Sequence, residues 1–245
     1  MALRRRKAFR GSAEYMADKR RNAAVTLQRA ARGRATTSRR MAGFPEPLAS
    51  TNPQGSLEVK SAQYANVSQT PGALAGTSNH VNAIVQGAGA NQRLGNRYRV
   101  KAVAVRGQVS RGSSTNAQVG YYLVWDKQPN QALANADKIF TIDAGNGLYP
   151  YNSGLNRGRK HRFQIIAKWF TTVGDTQSNL PQMRPVNNYH KLPASCITSC
   201  EQGMTSGSVS NIDTGACILI PFSNAATTGT EPHTHLAWEV YFEEA

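Results

Sequence analysis

Residues 234–243 (THLAWEVYFE) alternate strictly, with Leu236, Trp238, Val240 and Phe242 on one side and Ala237, Glu239, Tyr241 and Glu243 on the other. A period of two marks a strand that lays one face on a core. The pattern recurs through the last three quarters of the chain. Arg97–Val109 (RYRVKAVAVRGQV) sets Tyr98, Val100, Ala102 and Ala104 on one face and Arg99 and Lys101 on the other. His161–Val173 sets Phe163, Ile165, Ala167 and Trp169 together. Gln118–Asp126 (QVGYYLVWD) is mostly apolar and aromatic, and Thr214–Phe222 reads as a buried strand with Pro221 near its end. Leu57–Tyr64, His80–Gln86 and Arg184–Leu192 carry weaker versions of the pattern. Between these runs lie stretches rich in Gly, Asn, Ser and Pro, which break strands and make turns. One short helix is expected near Gln131–Asp137. About eight strands joined by long polar connections predict an all-β fold, an eight-stranded jelly-roll β-sandwich built from two Greek keys.

Charge divides the chain. Residues 1–41 hold 13 basic side chains against two acidic ones, Glu14 and Asp18, a net +11. Residues 42–245 hold 16 basic and 12 acidic, a net +4. The basic set is Arg4, Arg5, Arg6, Lys7, Arg10, Lys19, Arg20, Arg21, Arg29, Arg32, Arg34, Arg39 and Arg40. A segment so cationic points to a polyanionic partner, nucleic acid ahead of an anionic membrane. Arg outnumbers Lys 11 to 2 there, which favours bidentate phosphate contacts. Phe9 and Tyr15 are its two aromatics, so phosphate binding without sequence readout is expected. The composition of roughly 13–34 is compatible with a helix, ended by Gly33 and the Thr36–Ser38 run. Arg4–Lys7 and Lys19–Arg21 also have the character of nuclear-import signals, which makes nuclear-import factors expected partners. Residues 42–56 (AGFPEPLASTNPQGS) read as a linker. The expected organisation is therefore a basic nucleic-acid-binding arm over 1–41, a linker over 42–56 and a jelly-roll domain over 57–245. No apolar run approaches the roughly 20 residues that span a bilayer, and no membrane partner is expected.

The chemistry of sites offers little else. Cys196, Cys200 and Cys217 are few and odd in number, which reads as reduced thiols and not a disulfide framework. Cys196 and Cys200 with His190, His233 and His235 fit zinc spacing poorly, and no metal or cofactor is expected. Asp143–Gly147 lacks the further acids of a calcium loop and reads as a turn. Asp126, Asp137, Asp143, Asp175 and Asp213 are scattered, and no nucleotide-binding or nucleophile motif occurs, so an enzyme is not expected.

Several segments, in order, resemble geminivirus coat proteins. Gly95-Asn96-Arg97-Tyr98-Arg99-Val100-Lys101-Ala102-Val103 is similar to their G-x-R-[FY]-x-V-K-x-[VI] strand. Tyr122–Pro129 (YLVWDKQP) resembles F-x-L-V-x-D-x-x-P, and Lys138-Ile139-Phe140 resembles the x-[VI]-F that follows. Arg162-Phe163-Gln164-Ile165 with Lys168-Trp169, then Val186-Asn187-Asn188-Tyr189, then Glu239-Val240-Tyr241-Phe242, continue the series. The stretch between Asn188 and Cys217 matches poorly, and residues 1–79 lack the family's Cys/His cluster, holding neither residue type. The resemblance implies the jelly-roll capsid protein of a small virus with circular single-stranded DNA. Identical subunits, about 60 in the simplest closed shell, would then surround the genome. Satellite-type RNA virus coat proteins share the jelly roll, the turn and a basic helical arm, so DNA is favoured over RNA without excluding it. The expected function is a capsid protein of the virion, assembling in the host nucleus. The alternative from the residues alone is a monomeric cellular β-sandwich that binds nucleic acid and carries an import tail.

Overall fold

The computed structural model describes residues 58–69, 77–112, 116–143, 150, 152–174, 182–224 and 232–245. Among them are ten strands: β1 Lys60–Gln69, β2 Asn79–His80, β3 Arg97–Ser110, β4 Ala117–Asp126, β5 Phe163–Val173, β6 Met183–Lys191, β7 Ile197–Cys200, β8 Ile212–Thr214, β9 Ala216–Ser223 and β10 His233–Glu244. One helical turn, α1 (Ala136–Ile139), is the sole α-helix of the described residues. The expected number of eight strands is thus exceeded by two. β7 and β8 are four and three residues long, too short for an alternating pattern to register. The expected strand His80–Gln86 shrinks to Asn79–His80, because Asn82 turns its side chain into a polar knot instead of the ladder. The expected helix near Gln131–Asp137 moves to Ala136–Ile139. Asn130 and Gln131 take positive φ (51° and 62°), a left-handed turn that no helix passes through.

The strands form two sheets. One runs β1-β10-β3-β7-β8, with β6 also paired to β3; the other runs β2-β9-β4-β5. Every strand pairing is antiparallel. One edge of β3 therefore serves two partners in turn, β7 at Arg97–Arg99 and β6 at Ala102–Ser110.

Between the sheets lies the principal core. Leu236, Trp238, Val240 and Phe242 of β10 meet Val119, Tyr121, Leu123 and Trp125 of β4, with Leu219 of β9. Each such side chain contributes about 1.5–3 kcal/mol when fully buried. The Arg106–Glu239 pair joins β3 to β10 within one sheet and does not bridge the two. Packing, not surface charge, holds the sheets together.

A second apolar cluster explains why β4 and β9 read as continuous apolar runs. The β4–β5 connection folds back over the outer side of its own sheet. Ala134, Ala136, Ile139 and Phe140 cover Tyr122 and Val124 of β4 and Ile218, Ile220 and Phe222 of β9. Phe140 stands 4.5 Å from Tyr122, centroid to centroid, and the Tyr122 hydroxyl donates to the Pro150 carbonyl at 2.8 Å. Strands buried on both faces lose their alternation.

Two bulges reassign faces that the alternation had placed together. Tyr241 pairs with Ala102 but Phe242 with Val100, so Lys101 is an extra residue in β3. Tyr98 and Val100 face the core, as do Val103 and Val105, whereas Ala102 and Ala104 turn outward against Tyr241. The expected single face of Tyr98, Val100, Ala102 and Ala104 is corrected accordingly. In β5, Ala167 pairs with Leu123 but Ile165 with Val124, leaving Ile166 extra. Phe163 and Ile165 join the outer cluster, while Ile166, Ala167 and Trp169 pack on the inner one. An inserted residue reverses the facing of everything beyond it.

Candidate functional site

The 13 basic side chains predicted to bind phosphate, from Arg4 to Arg40, lie outside the described residues, as do the linker and the import-like clusters. What the described residues do show is where the charge of the β-sandwich goes.

On the sheet that contains β10, Lys60, Arg99, Lys101 and Arg106 are matched to carboxylates. Glu243 accepts from Arg99 at 3.1 Å and from Lys101 at 2.9 Å. Glu239 lies 3.4 Å from Arg106 and accepts from the Tyr241 hydroxyl at 2.8 Å. Glu244 lies 3.6 Å from Lys60. Arg93 is fully buried, and its guanidinium donates to the carbonyls of Ile84, Gly95 and Met204. These cations hold the protein's own structure and are not offered to a ligand.

The end of β4 and the start of β5 are different. Asp126, with no exposed surface, takes a two-pronged contact from Arg162: Nε and one terminal nitrogen each donate at 2.8 Å. Asp126 also accepts the Gln128 amide at 3.0 Å, and Arg162 lies 4.8 Å from the Phe163 ring centre. Hydrogen bonding to Asp126 raises the Arg162 pKa further still. This fork ties down the segment before β5. Arg157–Arg159 forms a 3-10 turn, and the Asn156 side chain caps it by accepting the Gly158 amide at 3.1 Å. Backbone bonds run Arg162 to Arg159, Arg159 to Asn156, Asn156 to Ile139 and Lys127 to Arg162, at 2.8–3.0 Å. Arg157, Arg159, Lys160 and His161 are all exposed, and so are Lys127 and Lys138 on the two segments beside them. The expected strand over His161–Val173 begins at Phe163, which leaves His161 and Arg162 in this turn.

Sequence reasoning missed this cluster. Its signal was present: Arg-Gly-Arg-Lys-His-Arg at 157–162, with no acid anywhere between Asp143 and Asp175. Residues 1–41 carry the larger charge, and the apolar alternation from Phe163 onward extends by pattern over His161 and Arg162.

Close by lies a buried polar knot. The Asn82 amide nitrogen reaches Thr198 Oγ1 (2.8 Å), the Gly215 carbonyl (3.1 Å) and the Tyr98 hydroxyl (3.2 Å). Its oxygen accepts the Cys217 amide at 2.7 Å, and Tyr98 donates to the Asn82 carbonyl at 2.7 Å. A fully satisfied buried network of this kind fixes the elements it joins. Gly215, at φ 80°, sits where a Cβ would strike the Ile197 carbonyl and come 2.8 Å from the Trp125 ring.

The three cysteines are buried and unpaired with one another. Burial pushes the Cys196 thiol up to about 11 and raises those of Cys200 and Cys217. They are protonated apolar fillers, poor as nucleophiles or ligands at neutral pH. His190 is engaged with the Tyr121 hydroxyl at 2.8 Å, and burial lowers its pKa. Among the described residues no three His, Cys, Asp or Glu side chains gather as metal ligands. Asp126 is committed to Arg162, and Asp137 and Asp213 are exposed on α1 and β8. Asp175 and residues 144–147 lie outside the described residues. Among the described residues, no helix is long and apolar enough to cross a membrane.

No curated protein sequence matches the chain. Among solved structures, turnip yellow mosaic virus is similar at 9% identity and TM-score 0.29, over 78% of this chain and 95% of that one. The 60-mer capsid protein of BFDV is similar at 10% identity and TM-score 0.29, over 76% and 91%. VP1 of the trichodysplasia spinulosa-associated polyomavirus follows at 9% identity and TM-score 0.23, over 79% and 94%. The sequence itself matches a family along nearly its whole length, residues 4–244, in agreement with the ordered segments between Gly95 and Phe242. The chain belongs to the geminivirus coat protein/nuclear export factor BR1 family.

Proposed function

We propose that the chain is a viral coat protein whose copies close into a small icosahedral shell around single-stranded nucleic acid, DNA in preference to RNA. The observation that carries the reading is the family match over residues 4–244 on a chain whose first 41 residues bring a net +11. The strand order supports it. With β7 and β8 taken as continuing the position of β6, the sheets become β1-β10-β3-β6 and β2-β9-β4-β5, each a set of four. Chain order then interleaves between them as in the jelly roll, the sandwich of viral shells.

In this reading residues 57–245 are the shell domain and residues 1–41 the arm, joined through 42–56. The arm's 13 cations, Arg4 to Arg40, neutralise phosphates by charge, with counterion release and without sequence readout. About 60 arms bring about 660 net positive charges, matched to a genome of one to a few kilobases at one charge per phosphate. Arg4–Lys7 and Lys19–Arg21 serve host import factors before assembly, which places assembly in the nucleus. The working form is the virion.

Negative-stain microscopy of the purified protein, with the 260/280 nm absorbance ratio of the same fraction, tests this. Uniform small spheres rich in nucleic acid are expected, their contents degraded by deoxyribonuclease after extraction. Discrete monomers or dimers across a range of salt concentrations, with no particles, would overturn it.

A further inference from the structure

The β-sandwich carries a second cationic surface that the arm does not account for. Between Asp143 and Asp175 lie five basic residues and no acid, which exceeds the net +4 of all residues beyond 41. Lys127, Lys138, Arg157, Arg159 and Lys160 have no carboxylate within ion-pair distance among the described residues. Arg97, Arg184 and Lys191 are likewise exposed without an ion pair among those residues, but the five are gathered on segments joined by the Lys127–Arg162 and Asn156–Ile139 backbone bonds. Clustered like charges repel, and an anion relieves that repulsion. The cluster is held in place by the Asp126–Arg162 fork and the Asn156 cap. Arg and Lys dominate, and the 156–162 segment has no Phe, Tyr or Trp for stacking on bases.

The surface also stands at the end of the sandwich where β1 begins. Lys60 pairs with Phe242, which pairs with Val100, whose amide bonds Cys196. Ile197 next to it abuts Gly215, Gly215 abuts Trp125, and Trp125 leads through Asp126 to Lys127.

We propose that Lys127, Lys138, Arg157, Arg159 and Lys160 form a phosphate-binding surface for the packaged nucleic acid, separate from the N-terminal arm. The inference rests on the coat-protein reading. It assigns the shell domain a part in fixing the nucleic-acid backbone, with no base preference.

The test uses the full-length protein kept unassembled, titrated with a labelled oligothymidylate over a salt series. Each lost phosphate contact lowers the slope of log affinity against log salt by about 0.7 for a single strand. The Arg157→Gln/Arg159→Gln/Lys160→Gln variant is expected to lose about 2 from that slope and to melt at the wild-type temperature. Lys127→Gln/Lys138→Gln, which leaves the 3-10 turn intact, is expected to lose about 1.4. An arm variant, Arg4→Gln/Arg5→Gln/Arg6→Gln, reports on the other reading: if it leaves the slope alone while the cluster variants lower it, the arm fails and the surface stands. Unchanged slopes in both cluster variants overturn the proposal. Unchanged slopes with lost heparin binding assign the surface to an outside glycan instead, and unchanged slopes with lost particle formation assign it to a neighbouring subunit.

Discussion

Asp126 and Arg162 show how one pair of residues can set the form of a surface. The carboxylate is fully buried, and the guanidinium satisfies both of its oxygens. Removing one partner of such a pair is far worse than removing both, because a buried charge is left without compensation. Arg162→Ala is expected to destabilise the protein by about 3–5 kcal/mol. Arg162→Lys keeps the charge but loses the planar fork; it is expected to cost about 1.5–3 kcal/mol, the worth of one charged hydrogen bond. Urea denaturation of the unassembled protein measures both. His80 makes a prediction in pH. Burial lowers its pKa from 6.5 to about 4, with the Asn82 hydrogen bond opposing. The unfolded chain then takes up a proton near pH 6.5 that the folded chain refuses until about pH 4. The stabilisation is therefore complete above 6.5 and lost as pH falls through that window. His80→Leu is expected to flatten the acid limb of a pH–stability profile between those values; an unaltered limb would place the titrating group elsewhere. The Asp126 motif was legible in the sequence, as part of Tyr122–Pro129, but its partner was not. Nothing local says that an Asp will meet an Arg 36 residues away.

At the scale of elements, β10 was read best. Its pattern placed Leu236, Trp238, Val240 and Phe242 inward, and they line the core. The strand alternates cleanly because one side carries large apolar groups and the other carries Glu239 and Glu243, which must find cations. β3 was read less well. Val and Ala lie on both of its faces, so nothing in the letters betrays that Lys101 is an insertion. The same holds for Ile165–Ile166 of β5. β7 and β8 escaped notice because they gain their stability from neighbours and the Thr198–Asn82 knot, not from a pattern of their own. Gly107 marks a further element-scale constraint. Its φ is 144°, and a Cβ there would collide with the His235 carbonyl in the middle of the β3–β10 ladder. Gly107→Ala is expected to cost more than the about 1–3 kcal/mol of backbone strain alone, since the ladder must also part. A fall in the thermal midpoint well beyond that of a surface control such as Gln108→Ala would bear this out; equal midpoints would refute it.

Over the whole chain, charge is divided unequally between two parts. Residues 1–41 supply most of the net charge, and in the remainder of the chain Lys60, Arg99, Lys101, Arg106 and Arg162 are paired with carboxylates. If phosphate binding is a matter of counting cations, salt dependence reads the division directly. Thirteen arm cations in full contact would contribute about 9 to the slope of log affinity against log salt on single strands. The exposed cluster of five would contribute about 3.5. Deleting residues 1–41 is thus expected to remove the larger part of the slope and leave a residue of the smaller size. The deletion is expected to unfold cooperatively like the full chain, since the core clusters draw on residues from 62 onward. Particles formed by it should carry little nucleic acid and show a protein-like absorbance ratio, because most of the phosphate-binding cations have been removed. Retention of a full genome by the deletion variant would show that the sandwich, and not the arm, is the principal binding element.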